Sequence, residues 1–419
     1  MSETDFKLPI SEIKIKNFLS FGVNGIRVKL ARLNVLIGPN GSGKSNFLDA
    51  FLFLQTLARG DKLPNKFFVE RGGINEWLYN DGHNRAEEAC IEVVTPRVFD
   101  RASEIPLKYS ICFNLAKEGI VSYFYVNKEL IRCVRPEDGE STPYLYYQLD
   151  EGRDAVINTI QWNEDEKSEK KFAKRTLARE HIARDRSILT QKTDTEIYPL
   201  LQRLSRLFNS IKVYSSWSFG KLAFVRKPQS LFQVADFVEE DFSNLVVVAE
   251  TIKNHHLDIY EKIIEKMREV LPRFFRFDIS RNGSDGEIFF VEEGTSRILA
   301  SHVSDGIFRF FALLVLLFNP NGQGGLICID EPEMGLHPDA LPVLASTLKE
   351  ASETRQIVVT THSDIFVSYF NDSVEDVMVC EYDNKHTSIQ KLTQEELASW
   401  LNEYSLGELW LKGKIGGVI

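Results

Sequence analysis

The run Gly38-Pro39-Asn40-Gly41-Ser42-Gly43-Lys44-Ser45 places three glycines ahead of a lysine and a hydroxyl, the G-x-x-x-x-G-K-[ST] pattern of a phosphate-binding loop. Phosphate oxygens need several converging backbone N–H groups, and glycine lets the main chain turn tightly and approach closely. Lys44 supplies a point charge for the β- and γ-phosphates of ATP, and the Ser45 hydroxyl a ligand for Mg²⁺. Gly38, Asn40, Gly41, Ser42, Gly43, Lys44, Ser45 and Asn46 are therefore the expected nucleotide contacts. Far along the chain, Leu326-Ile-Cys-Ile-Asp-Glu331 puts two carboxylates after an apolar run. Asp330 can hold Mg²⁺ through water, and Glu331 can orient or deprotonate an attacking water. His362 closes a second apolar run, Gln356–Thr361, where an imidazole can hydrogen-bond a terminal phosphate. Lys44, Glu331 and His362 are the expected catalytic groups, and Ser45 and Asp330 the expected metal ligands. Ser304-Asp305-Gly306 heads a long apolar segment; a hydroxyl, a glycine N–H and a helix N-terminus make a second anion cradle. Residues 38–45 already serve the chain's own ATP, so Ser304 and Gly306 make sense as contacts to ATP held by another subunit.

These groups need a scaffold that brings strand ends and helix starts together. Leu33–Ile37 reads as a short buried strand, and Asn46–Leu57 as an apolar helix whose positive end faces the loop. Gln55 sits on that helix and reads as core. Alternation of apolar and polar residues predicts strands at 13–18 and 26–30, joined by a turn, and further strands at 89–94, 107–113 and 120–126 that look like an antiparallel sheet with one wet face. Residues 136–275 change character. Asn163–Arg186 is densely charged, with opposite charges at i,i+4 such as Glu166–Lys170 and Glu180–Arg184, and reads as a solvated helix. Residues 196–209 and 244–271 also show helical spacing. Strand signals resume at 277–280 and 287–292, and helix–strand alternation from Ser304 to His362 indicates a parallel α/β sheet. The predicted organisation is an α/β head in two parts, 1–135 and 276–419, carrying a mainly helical insertion at 136–275.

A chain of 419 residues has room for two or three domains, or for one large domain with an insertion. Its 43% hydrophobic and 26% charged content is that of an ordinary globular protein. The longest apolar run, Phe310–Phe318, falls well short of the ~18 residues a membrane span needs. The N-terminus shows no basic segment followed by an apolar one, so no secretory signal is expected. Five scattered cysteines without C-x-x-C argue against zinc and against a disulfide framework, and fit a reducing cytosol. A net charge of −10 works against a generic nucleic-acid coat.

Gly38–Ser45, Ser304–Gly306, Leu326–Glu331 and His362, in this order, resemble the ABC-type ATPase heads of the SMC, RecF and OLD-nuclease class. Ile13–Phe18, the run Asp330-Glu-Pro-Glu-Met-Gly-Leu-His-Pro338, Leu406–Trp410 and Gly416-Gly417 extend the likeness. Within the class the chain is similar to short stand-alone ATPases found beside nucleases in phage-defence operons. The resemblance implies a mixed sheet with an N-terminal antiparallel subdomain, and a head-to-tail homodimer, or a higher oligomer of such dimers, around two ATPs. Lys44 and Ser45 of one chain would then face Ser304 and Gly306 of the other, with Met334–His337 crossing the interface. The sequence does not place the class's Q-loop glutamine, and Leu19 stands where it usually has a basic residue. No long coiled coil or C-x-x-C hook is present, and the stretch after His362 is too short for a TOPRIM nuclease domain. The function implied is a cytoplasmic ATP-driven switch for a separate effector, a nuclease or toxin, in antiphage defence, with no membrane partner. The alternative is a RecF-like repair ATPase that clamps duplex DNA.

Overall fold

The computed structural model describes residues 8–416 apart from 61–63, 96–104, 119–120, 137–138, 162–170, 178–181, 216–217, 234–235, 295–296 and 323–324. Strands β1 (Glu12–Lys16) and β2 (Ile26–Lys29) precede β3 (Leu33–Ile37). Next come β4 (Glu88–Thr95), β5 (Leu107–Glu118), β6 (Val121–Cys133), β7 (Leu145–Leu149), β8 (Ala155–Gln161) and β9 (Lys171–Leu177). Then follow β10 (Lys212–Tyr214), β11 (Gln229–Ser230), β12 (Phe274–Asn282), β13 (Asp285–Glu292) and β14 (Arg297–Leu299). The last four are β15 (Leu326–Asp330), β16 (Gln356–Thr361), β17 (Val377–Tyr382) and β18 (Thr387–Lys391). The chain divides into two units.

The first unit holds Met1–Ala31, Pro39–Lys212 and Cys380–Lys391. Its sheet runs in the order β2-β1-β4-β5-β6-β7-β8-β9, with every described pairing antiparallel. Strict alternation in β4 buries Ala89, Ile91 and Val93 and leaves Glu88, Cys90 and Glu92 half-exposed. The buried face meets helices α1 (Lys44–Ala58) and α2 (Pro64–Glu70) through a cluster of rings, Phe18, Phe53, Phe68, Trp77, Phe113 and Phe124. Gln55 is buried in α1 and donates to the Ile211 carbonyl at 2.6 Å, a core role as its position suggests.

Two sequence expectations change here. Leu145–Leu149, Ala155–Gln161 and Lys171–Leu177 are strands β7 to β9 that continue the antiparallel sheet; helices α3 (Ile188–Gln191) and α4 (Pro199–Asn209) come after them. The charged segment read as a solvated helix contains β9, paired to β8 along its whole length. Charges at i,i+4 share a face in a strand as well as in a helix, so the pattern does not discriminate. Glu166, Lys170 and Glu180 lie outside the described residues. The second correction is Cys90–Cys112, a disulfide rather than two isolated thiols. The β4–β5 register sets these residues directly opposite each other, a proximity invisible in their spacing along the chain. Cys133, Cys328 and Cys380 are buried and not disulfide-bonded.

The second unit holds Arg32–Gly38, Val213–Val379 and Leu392–Ile419. Its centre is the parallel order β15-β16-β3-β17, strands buried on both faces and so apolar throughout their middles. Helices α5 (Leu245–His255), α6 (Leu257–Val270), α7 (Asp305–Phe318), α8 (Ala340–Ala351), α9 (Asp364–Ser368), α10 (Gln394–Leu397) and α11 (Leu406–Leu411) belong to it too, with a small antiparallel sheet of β11 to β14. From Phe308 to Phe318, α7 is buried all round, the signature of a central core helix. No helix among the described residues is long and apolar enough to cross a membrane.

Candidate nucleotide site

Register does the first part of the assembly. In the second unit, Asp330 lies beside Thr360, and Thr360 beside Leu36. One step further, Thr361 lies beside Ile37. Gly38 and His362 therefore leave the carboxyl ends of neighbouring parallel strands at the same level, with Asp330 and Glu331 on the next strand. This edge is where open α/β sheets bind ligands.

The acids are held individually. The Thr360 hydroxyl donates to Asp330 Oδ1. Glu331 adopts a left-handed backbone, φ 49°, which is costly for a residue with a side chain. Its N–H donates to the Thr360 carbonyl at 3.2 Å and meets the Thr360 hydroxyl at 3.1 Å, and its carbonyl accepts from Arg309 Nη2 at 3.2 Å. That conformation turns the Glu331 carboxylate onto His362, Oε1 to Nδ1 2.8 Å. Two expected catalytic residues are thus paired. Glu333, 8% exposed, accepts from the Thr361 hydroxyl, and burial raises its pKa. Burial brings Arg309 down to about 10.

In the first unit, Gly41 (φ 80°) and Gly43 (φ 101°) carry the loop through left-handed turns into α1. Lys44 is buried, and its Nζ donates to the Pro39 carbonyl at 3.0 Å, while Ser45 is exposed at the helix start. A brace absent from the sequence reading supports the loop. The Ser42 carbonyl accepts from Thr387 Oγ1 at 2.9 Å and from Cys380 Sγ at 3.2 Å. Thr387 Oγ1 lies 2.7 Å from the Ser20 hydroxyl, which also accepts from Asn46 Nδ2 at 2.7 Å. Ser20 sits in a turn whose Asn17 and Leu19 are both left-handed. Its neighbours Asn17-Phe18 were a sequence clue; Cys380 and Thr387 gave none, being hairpin residues far from any motif.

A family model described as "AAA domain, putative AbiEii toxin, Type IV TA system" matches residues 33–368. The chain belongs to this AAA family. Among curated relatives, this AAA protein is similar to the chromosome partition protein Smc of a Synechococcus species, 44% identical over 61 residues, 13% of this chain and 5% of that protein. It is also 28% identical over 122 residues to the retron Vc95 probable ATPase of Vibrio cholerae, 29% of this chain and 23% of that protein. The chain thus spans only a small part of these relatives. Two solved Smc heads share its fold. One, bound to the C-terminal winged-helix domain of ScpA, has a TM-score of 0.53 at 16% identity and covers 93% of this chain and 99% of its own. The other carries an extended coiled coil and is bound to the C-terminal domain of ScpA derived from Pyrococcus furiosus; it has a TM-score of 0.51 at 13% identity, over 94% and 98%. The protein is accordingly a member of this AAA family with an SMC-like head fold.

The remaining expected residues of this AAA protein lie at the start of α7. Ser304 caps the helix backbone (φ −61°, ψ 151°) without a side-chain capping bond. Gly306 packs so tightly on the turn after Glu331 that a Cβ there would meet the Gly335 carbonyl at 2.7 Å. Ser304 and Gly306, with Leu336, His337 and Asp339, line an open cleft of about 570 Å³.

Proposed function

We propose that this AAA protein binds ATP and Mg²⁺ on Gly38–Asn46, hydrolyses ATP with Glu331 and His362, and uses the cycle to hold or release a separate effector, a nuclease or toxin, in antiphage defence. The alignment of Asp330, the Glu331–His362 pair and Gly38 along one strand edge carries the reading. Left-handed Gly41 and Gly43 leave the loop backbone bare of side chains, as phosphate binding requires. The Ser45 hydroxyl and Asp330 carboxylate are hard oxygen donors suited to Mg²⁺, which would neutralise charge developing on the phosphates. Glu331 accepts the proton of the attacking water, and His362 Nδ1 keeps that carboxylate aimed. Ser304 and Gly306, in an open cleft without a capping bond, contact the ATP of a second copy, so the working unit is a dimer or an assembly of dimers. The toxin–antitoxin family description and the retron relative favour effector control over a RecF-like DNA clamp.

The test uses three variants. Lys44→Ala should lose ATP binding. Glu331→Gln should bind ATP but turn it over ~10²–10⁴-fold more slowly, the usual cost of a lost general base. Ser304→Arg should bind ATP and fail to hydrolyse it alone, while a mixture with Lys44→Ala regains activity, since each mixed dimer holds one complete site. Wild-type turnover in Glu331→Gln would refute the catalytic assignment, and an inactive mixture the shared site.

A further inference from the structure

Arg226 is charged and yet its side chain has no exposure. It ends a short turn, Phe224–Arg226, that no motif marks. Every arm of its guanidinium is used. Nε donates to the Phe219 carbonyl at 2.6 Å, Nη1 to the carbonyls of Ala300 (2.6 Å) and Val303 (2.7 Å), and Nη2 to Asp305 Oδ1 at 2.7 Å. The plane also lies over the Phe308 ring, 4.9 Å from its centre. Apart from Phe219, these partners bracket Ser304: Ala300 and Val303 come just before it, and Asp305 and Phe308 just after. A planar fork reaches several acceptors in fixed directions, which a lysine ammonium on a flexible stem does not.

Two physical consequences converge on the cradle. The carbonyls of Ala300 and Val303 are pinned, and with them the backbone that delivers Ser304 to the start of α7. Asp305, between Ser304 and Gly306 in the chain, would otherwise bring a bare, 60% exposed carboxylate to the cradle, where its charge repels an incoming phosphate; the Arg226 cation offsets it. We propose that Arg226 is the positioning residue of the Ser304–Gly306 cradle, fixing its backbone and neutralising Asp305 so that it accepts the terminal phosphate of ATP carried by a second copy of the chain. The inference rests on the shared-site reading above.

The experiment compares Arg226→Met, Arg226→Lys and Arg226→Met/Asp305→Asn in the full chain. Thermal unfolding, ATP affinity, and turnover alone and in mixture with Lys44→Ala are measured for each. Arg226→Met should keep wild-type ATP affinity and lose turnover about 10²-fold, the scale of a displacement near 1 Å in an active site. Mixing with Lys44→Ala should restore activity, as it does for Ser304→Arg, because the Arg226→Met chain still supplies an intact phosphate loop. Adding Asp305→Asn should recover part of the loss, which a purely structural role for Arg226 would not allow. Arg226→Lys should fall between wild type and Arg226→Met, and it carries the test if Arg226→Met does not fold. If Ser304→Arg complements Lys44→Ala and the Arg226 variants do not, the positioning role is wrong and the shared site stands. If neither mixture is active, the shared site itself fails and the inference falls with it. Loss of ATP affinity in Arg226→Met would likewise overturn it.

Discussion

Replacing Gly43 with alanine tests the phosphate loop where backbone and packing demands coincide. Gly43 has φ 101° and ψ 11°, outside the range an L-residue adopts readily, and forcing alanine there costs ~1–3 kcal/mol. The added Cβ would lie 2.2 Å from Thr387 Oγ1 and 2.8 Å from Ser20 Oγ. Thr387 is fully buried and cannot step aside without releasing the Ser42 carbonyl. The Ser42 carbonyl would keep only the weaker Cys380 thiol, and exchanging one bond for that costs a further ~1 kcal/mol. The loop would therefore give way, and a sum of roughly 2–4 kcal/mol, at ~1.4 kcal/mol per decade, lowers ATP affinity roughly 30- to 10³-fold. Titration calorimetry gives the affinity and urea unfolding the stability. Thr387→Ala by itself should also weaken the protein, because it removes the same hydroxyl. In the Gly43→Ala background it removes the obstacle, so the two losses should fall short of additive by ~1 kcal/mol or more. ATP affinity within about threefold of wild type for Gly43→Ala, or strict additivity of the pair, would refute this account of the loop.

Two further tests probe different levels. Glu129 is buried where it accepts from the Tyr109 hydroxyl (2.8 Å), the Ser187 hydroxyl and the Ile188 N–H (3.0 Å), and burial raises its pKa above the ordinary 4.5. Between the ordinary and the raised value, the folded chain keeps a proton the unfolded chain has released, so this group's contribution to stability falls as pH rises. The advantage of wild type over Glu129→Gln in urea unfolding should shrink as pH climbs from 4.5 and level off above the folded pKa; a pH-independent difference contradicts it. On partners, effector control predicts weak binding of the isolated protein to duplex DNA, measured by fluorescence anisotropy across a salt series. Tight ATP-dependent binding at physiological salt, falling steeply as salt is raised further as ~6–10 phosphate contacts require, would favour the DNA-clamp reading.

The candidate site could be named where its residues are contiguous. Gly38–Ser45, Leu326–Glu331 and Ser304–Gly306 each place their functional groups within a few positions, and the local backbone rules for glycine loops, buried strands and helix starts act over that same range. The buried strands and the long core helix were equally visible, because apolar residues without a polar face have few other places to go. Tertiary structure decided what depends on register between distant segments. The pairing of β4 with β5 joined Cys90 to Cys112, and the pairing of β8 with β9 made a strand of charges that read as a helix. The left-handed turn at Glu331 aimed its carboxylate at His362. The braces at Ser20, Cys380 and Thr387, and the fork of Arg226 around Ser304, bind residues that no spacing along the chain connects. A buried hydrogen bond constrains a donor and an acceptor in space and puts almost no constraint on how far apart they lie in sequence. The candidate groups could therefore be named from the chain, and what holds them in position could not.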